Sequence, residues 1–199
     1  MAYRMQNSQC RLPLAILVAG AVVLAGVACS RPVVKQYEKD GVRFSYYSNW
    51  LIAKDAPIDG HPDMRSIQLQ GPSHAVISLI CEPSSSPQTL EQFADGVAAR
   101  RGAAIERKLS LGDIKTAQVT RGSSHPATGK IAGRDRQGIM QQFSVELLGQ
   151  QMPHHSWFYL VEGARCKMMI MYQIADTNAA EMQEGSNLIL QTLAIEGEA

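Results

Sequence analysis

Apolar and polar residues alternate along much of the chain with the two-residue period of strands. Val42-Arg43-Phe44-Ser45-Tyr46 alternates, Ser48-Asn49 is a turn signal, and Trp50-Leu51-Ile52-Ala53 runs back, which predicts an opening hairpin. Pro57, Gly60 and Pro62 predict a loop. Arg65 to Gln70 alternates again with Ile67 and Leu69 on one face, and Gly71-Pro72-Ser73 turns the chain into Ala75 to Cys81. Thr89 with Gln92 three residues on forms a capping box for a helix from Leu90 to Arg101, with Leu90, Phe93 and Val97 as its apolar stripe. Strands are predicted at Ile105 to Leu111 and Ile114 to Thr120 around Gly112-Asp113, followed by a loop over 122–129. Three more strands are predicted at Ile139 to Leu148, Trp157 to Val161 and Cys166 to Ile174, the last two joined by Gly163-Ala164. Asn178 with Glu181 reads as the cap of a final helix carrying Met182, Leu188, Ile189, Leu190 and Leu193.

Two strands decide the fold class. In Lys167 to Tyr172, Met168, Ile170 and Tyr172 share one face while Met169 and Met171 share the other. Val76 to Cys81 is also apolar on both faces, interrupted only by Ser78. Such strands are covered on both sides. The expected architecture is α+β, a single mostly antiparallel β-sheet flanked by helices on both faces.

The N-terminus follows a different pattern. Arg4 and Arg11 precede an uncharged run from Leu12 to Ala28, which ends Leu24-Ala25-Gly26-Val27-Ala28-Cys29. A basic start, an apolar middle and small residues at the end make a secretory signal. The end resembles a lipobox, with Gly26 where Leu, Val or Ile is usual and the Cys29 thiol as lipid acceptor. The run is shorter than the ~20 residues of a spanning helix, which argues against an uncleaved anchor. The domains expected are therefore a signal peptide at 1–28, the lipidated Cys29 and a polar tether to residue 40, and a folded domain at 41–199. Ser30 follows the cysteine where lipoproteins kept at the inner membrane tend to carry Asp, so the address resembles the outer-membrane default, facing the periplasm.

Charge narrows the partners. The chain has 19 basic and 18 acidic residues, and losing Arg4 and Arg11 with the signal leaves 17 basic against 18 acidic, a net charge of −1. Nucleic acid is not expected as a partner, because phosphate neutralisation needs a basic surface.

From Gly41 to Ile195 the pattern resembles the PsbP-like family, which includes bacterial DcrB-like lipoproteins. The residues that carry the resemblance are Phe44, Tyr46 and Trp50 in the opening hairpin, then Thr89-Leu90-Glu91-Gln92-Phe93 at the helix start. Trp157-Phe158-Tyr159-Leu160-Val161-Glu162-Gly163 ends a meander, and Leu190-Gln191-Thr192-Leu193-Ala194-Ile195 closes the last helix. The family usually has Pro before the Trp, where this chain has Ser48-Asn49. The resemblance implies binding roles, such as photosystem accessory subunits, small-GTPase partners and secretion effector chaperones. It implies no shared catalytic residue.

Motifs for chemistry are absent: there is no Gly-x-Ser-x-Gly, phosphate loop, Gly-x-Gly-x-x-Gly or His-Glu-x-x-His. His154 and His155 are adjacent, so on a strand they point to opposite faces, and with Pro153 before them they read as exposed loop with no third metal ligand. Met168, Met169 and Met171 read as core rather than a soft-metal set. Ser123-Ser124-His125 places a hydroxyl beside a histidine, and residues so close in sequence seldom meet in triad geometry. No catalytic residue, metal or cofactor is therefore assigned. Cys10 leaves with the signal and Cys29 takes lipid, so Cys81 and Cys166 are an even pair in an oxidising compartment, either bonded or two separate buried thiols.

The function expected is that of a membrane-anchored, non-catalytic binding or accessory module for a periplasmic or envelope protein. The alternatives are a protective or immunity lipoprotein against a secreted toxin and, less favoured, a hydrolase or metal handler. The contact surface expected lies in loops at 122–137 and 150–156, around Arg134, Arg136, His154 and His155.

Overall fold

In a computed structural model of the chain, the structure describes residues 32–109 and 117–198, and Pro32–Ala199 forms one compact unit. Cys29 and the Gly112-Asp113 turn lie outside the described residues. The strands are β1 (Val34–Lys39), β2 (Val42–Tyr47), β3 (Leu51–Ile58), β4 (His61–Gln70) and β5 (Val76–Pro83), followed by helix α1 (Leu90–Leu109). Then come β6 (Ala117–Ile131), β7 (Arg134–Leu147), β8 (Gln150–Glu162), β9 (Cys166–Ala175), helix α2 (Ala179–Thr192) and the short β10 (Ala194–Ile195).

There are two sheets, not the single one expected. β1, β2 and β10 form a three-stranded sheet with β2 central, and the order β3-β4-β5-β9-β8-β7-β6 forms a seven-stranded one. All the pairings are antiparallel. The expected hairpin between Val42–Tyr46 and Trp50–Ala53 does not form. Asp40 and Gly41 both take positive φ, the backbone of a tight primed turn, and fold Val34–Lys39 back onto β2. The segment read as tether is thus a strand, with Tyr37 opposite Phe44 and the two rings stacked at 4.6 Å. Trp50 instead leads the chain into the larger sheet.

Three further expectations are corrected. Pro57 and Pro62 lie in paired strands around a turn at Asp59-Gly60, and β3, as an edge strand, tolerates the missing N–H. Ile105 belongs to α1, because Phe93, Val97, Arg101 and Ile105 recur at the four-residue spacing of a helix face. Residues 122–129 are strand, not loop. Their polar sequence hides a long edge strand that pairs with β7 through a bulge between Arg121 and Ser124.

The core follows from strands that are apolar on both sides. Ile67, Leu69, Ile77, Leu79, Met168 and Ile170 cluster with Met182, Ile189, Leu190 and Leu193 of α2 and with Val42 and Phe44 of the small sheet. On the opposite side, Met169 and Phe158 pack under Phe93 and Ala94 of α1, the Phe93 and Phe158 rings meeting edge to face at 5.8 Å. Met168, Met169 and Ile170 are all fully buried, which only a strand covered on both faces allows. Cys81 and Cys166 are joined by a disulfide, their Cα atoms 5.6 Å apart, tying β5 to β9.

A polar network ties the small sheet to the large one. Asp55 of β3 accepts from Arg65 Nε at 2.7 Å, from Lys39 Nζ at 2.9 Å and from the Tyr37 hydroxyl at 3.1 Å. Those donors hold the Asp55 carboxyl down at about 2, the Arg65 bond contributing most. Burial, with the nearby Asp55, pushes the Tyr37 phenol up to about 12.

Candidate binding surfaces

The two faces of the large sheet are covered unevenly, and this creates the concavities. Helix α1 starts at the capping box read from the sequence: Gln92 N–H donates to Thr89 Oγ1 at 3.2 Å, and Thr89 N–H to Gln92 Oε1 at 3.0 Å. From there Phe93 and Ala94 pack on β8 and β9, and a groove of about 910 Å³ opens between α1 and β3–β5. Met64, Ile80 and Phe93 supply its apolar lining, and Lys54, His61 and Arg100 its basic groups.

The loop that rims this groove is anchored from below. Lys167 is buried and donates to the carbonyls of Ser86 and Gln88, each at 2.6 Å. Glu82, directly opposite Lys167 across β5 and β9, is also buried and accepts from Ser86 Oγ at 2.7 Å. Two buried charges are thereby spent on fixing the entry to α1. A buried charge left without such bonds would be strongly destabilising.

Further along α1, Arg101 is 8% exposed, lies 3.9 Å over the Phe143 ring and donates to Ser156 Oγ at 3.0 Å. Burial, with Arg121 nearby, lowers its guanidinium to about 10. On the opposite side of the sheet, a cleft of about 480 Å³ lies between α2 and β6, with Trp157, Tyr159 and Tyr172 in its lining. His155, Trp157 and Tyr172 form a run of stacked rings, at 5.5 and 5.3 Å.

The four residues expected to form one partner surface are dispersed. His154 and His155 lie in β8, not in a loop, and they point to opposite faces. His154 stacks on Phe143 at 4.9 Å, and burial lowers its pKa. His155 Nδ1 is hydrogen-bonded to Asp176 at 2.5 Å. Arg134 is exposed at the start of β7, and Arg136 is half-buried and ion-paired with Glu198. His154 lies opposite Phe143 in the register, seven residues beyond Arg136, or roughly 24 Å along the strand. Ser123 and His125 do meet, with Oγ and Nε2 at 2.9 Å, because residues two apart on a strand share one face. The pair is exposed, Ser123 also donates to Gln142 at 2.8 Å, and no described carboxylate bonds the second ring nitrogen.

Among the described residues, no three of His, Cys, Asp and Glu come together to hold a metal. None of the described helices is long and apolar enough to cross a membrane. Lys54, Arg100, Glu82 and Lys167 were not found from the sequence. Their convergence depends on which strands neighbour β5, and no local pattern carries that.

No family model matches the chain, and no curated protein matches it. Among solved structures, the chain is similar to the solution structure of cyanobacterial PsbP from Synechocystis. That likeness has 13% identity, covers 88% of this chain and 98% of that one, and has a TM-score of 0.43. It is also similar to the crystal structure of LpqN, involved in cell envelope biogenesis of Mycobacterium tuberculosis. Here the identity is 10%, the coverage 86% of this chain and 87% of that one, and the TM-score 0.31.

Proposed function

We propose that this chain is a lipid-anchored, non-catalytic accessory module of the cell envelope that captures a protein partner in the groove between α1 and β3–β5. The observation that carries the reading is the groove itself. Its volume of about 910 Å³, apolar lining and basic groups suit an apolar side chain flanked by carboxylates. Surrounding elements hold it rigidly, through the capping box at the start of α1 and the buried Lys167 and Glu82 beneath the loop. In the described part of the site no nucleophile is bonded to a histidine, which favours binding over turnover.

Anchoring at Cys29 sets the orientation. The folded unit begins at Pro32, three residues on, so an extended link spans only about 10 Å. Val33, Val34 and Leu51 are exposed apolar residues, and Ser48, three residues before Leu51, donates its N–H to Val33 O at 2.7 Å. That end of the domain rests against the bilayer in this reading. A photo-cross-linking residue at Met64, tested in intact cells, should yield a discrete protein adduct. The double charge reversal Lys54→Glu and Arg100→Glu should abolish it. An adduct that survives the reversal, or one formed only from positions in β6 and β7, would refute the groove as the contact surface.

A further inference from the structure

We infer that the cleft between α2 and β6 is a second ligand site, built for a neutral saccharide. It lies on the α2 side of the sheet, away from the groove proposed for the protein partner, and is independent of it. The first observation is Tyr159. Its ring is 4% exposed, it lines the cleft, and its hydroxyl makes no hydrogen bond among the described residues. Burial alone raises its pKa. The ring is buried while its hydroxyl keeps access to solvent in the cleft, where an incoming group can bond it. Gly129 in β6 keeps this hydroxyl uncovered, since a Cβ there would fall directly on it. Gly138 in β7 makes room for the same ring.

The second observation is the chemistry of the walls. No carboxylate lines the cleft, and Lys130 is its single cationic group. The other side-chain polar groups are hydroxyls and amides. Gln183 and Asn187 are exposed, stand one helical turn apart on α2, and have no side-chain hydrogen bond among the described residues. An amide offers both a donor pair and an acceptor, which matches a sugar hydroxyl that does both. Trp157, Tyr172 and Ile174 supply apolar surface for the C–H faces of a pyranose ring. A charged ligand would find one lysine and no buried counter-charge. A purely apolar one would leave the amides and the Tyr159 hydroxyl unpaired. The volume of about 480 Å³ falls within the ~300–1,000 Å³ of small-ligand sites.

The test uses the full chain in a detergent without a sugar headgroup, titrated with maltotriose and with chitotriose. The chain has two tryptophans, and Trp50 is buried, so protection from acrylamide quenching reports on Trp157. The expected result is saturable protection by at least one of the two sugars, unchanged when salt is raised. It should weaken roughly tenfold in Tyr159→Phe and more in Gln183→Ala with Asn187→Ala. The double variant alters only exposed side chains, so it keeps the test decisive if Tyr159→Phe disturbs folding. No saturable protection by either sugar would overturn the assignment. So would protection that survives the double variant, or protection lost in salt, which would mark a charged contact at Lys130.

Discussion

A Cβ at Gly185 would fall on the indole nitrogen of Trp50. The same indole lies against Gly71, where a Cβ would come within 2.8 Å of Cζ2. Trp50, 4% exposed, is therefore clamped between the middle of α2 and the turn before β5. That contact fixes how the last helix seats on the large sheet.

Gly185→Ala should destabilise the domain by about 1–3 kcal/mol, the cost of overpacking a filled core. Helix propensity alone predicts the opposite sign, a gain of up to about 1 kcal/mol. Gly102 in α1 is the control: nothing lies within 4 Å of its added Cβ, so Gly102→Ala should be neutral or stabilising. Urea denaturation of the two variants decides the matter. A Gly185→Ala variant as stable as the parent would mean that Trp50 does not seat the helix.

The clamp shows what the sequence could and could not reveal. Trp50 as a core residue and the doubly buried faces around Met168, Met169 and Ile170 were legible, because period-two patterning reports burial directly. The capping box at Thr89 was legible as well. The partner of β2 was not. Local turn chemistry at Ser48-Asn49 suggested a hairpin with Trp50–Ala53, whereas the pairing is set by the Asp40-Gly41 turn and by β10, whose Ala194 and Ile195 pair with Arg43 and Val42; at the end of α2, Thr192 Oγ1 accepts from Ser45 N–H, 147 residues away in sequence. β6 was hidden for a different reason. As an edge strand it has little apolar patterning, and its hydrogen bonds to β7 carry the register. The groove and the cleft were illegible because each is lined by residues from elements distant in sequence. Asn178 lacks the side-chain cap expected of it, its amide donating instead to Ser73 O at 3.4 Å.

Asp55 should make stability depend on pH at the acid end. Its carboxyl titrates near 3.8 when unfolded and at about 2 when folded, so its contribution is complete above about pH 4 and lost as pH falls toward 2. The shift corresponds to about 2 kcal/mol. Asp55→Asn should remove this contribution, leaving the variant less stable than the parent at neutral pH. The gap should close between about pH 4 and pH 2. Denaturation midpoints measured across that window test it, and a gap constant with pH would show that the Arg65 and Lys39 bonds do not favour the charged form.

Cys29→Ala should abolish labelling by palmitate and leave an unprocessed precursor. With the signal intact, the chain should still reach the membrane fraction, held there by its apolar run. Normal labelling of this variant would place the lipid elsewhere and remove the orientation argued for Val33, Val34 and Leu51.

The disulfide between Cys81 and Cys166 joins neighbouring strands at the centre of the large sheet, across a sequence separation of 85 residues. That interval holds α1 and β6 to β8, so in the chain-entropy view the link removes much of the freedom of the unfolded chain. It is not needed to specify the register, which the backbone pairing of Val76–Pro83 with Cys166–Gln173 already sets. Replacing both cysteines by alanine should therefore leave the fold and the helical and strand content unchanged while lowering stability by about 2–4 kcal/mol. The single variant Cys81→Ala should be no more stable than the double one, and it leaves a half-buried Cys166 thiol that alkylating reagents reach slowly in the native state and quickly in urea. Chemical denaturation with and without reductant separates the two effects: reductant should lower the parent's midpoint and leave the double variant's where it is. A parent midpoint insensitive to full reduction, with free thiols verified by mass, would show that β5 and β9 are held by packing alone.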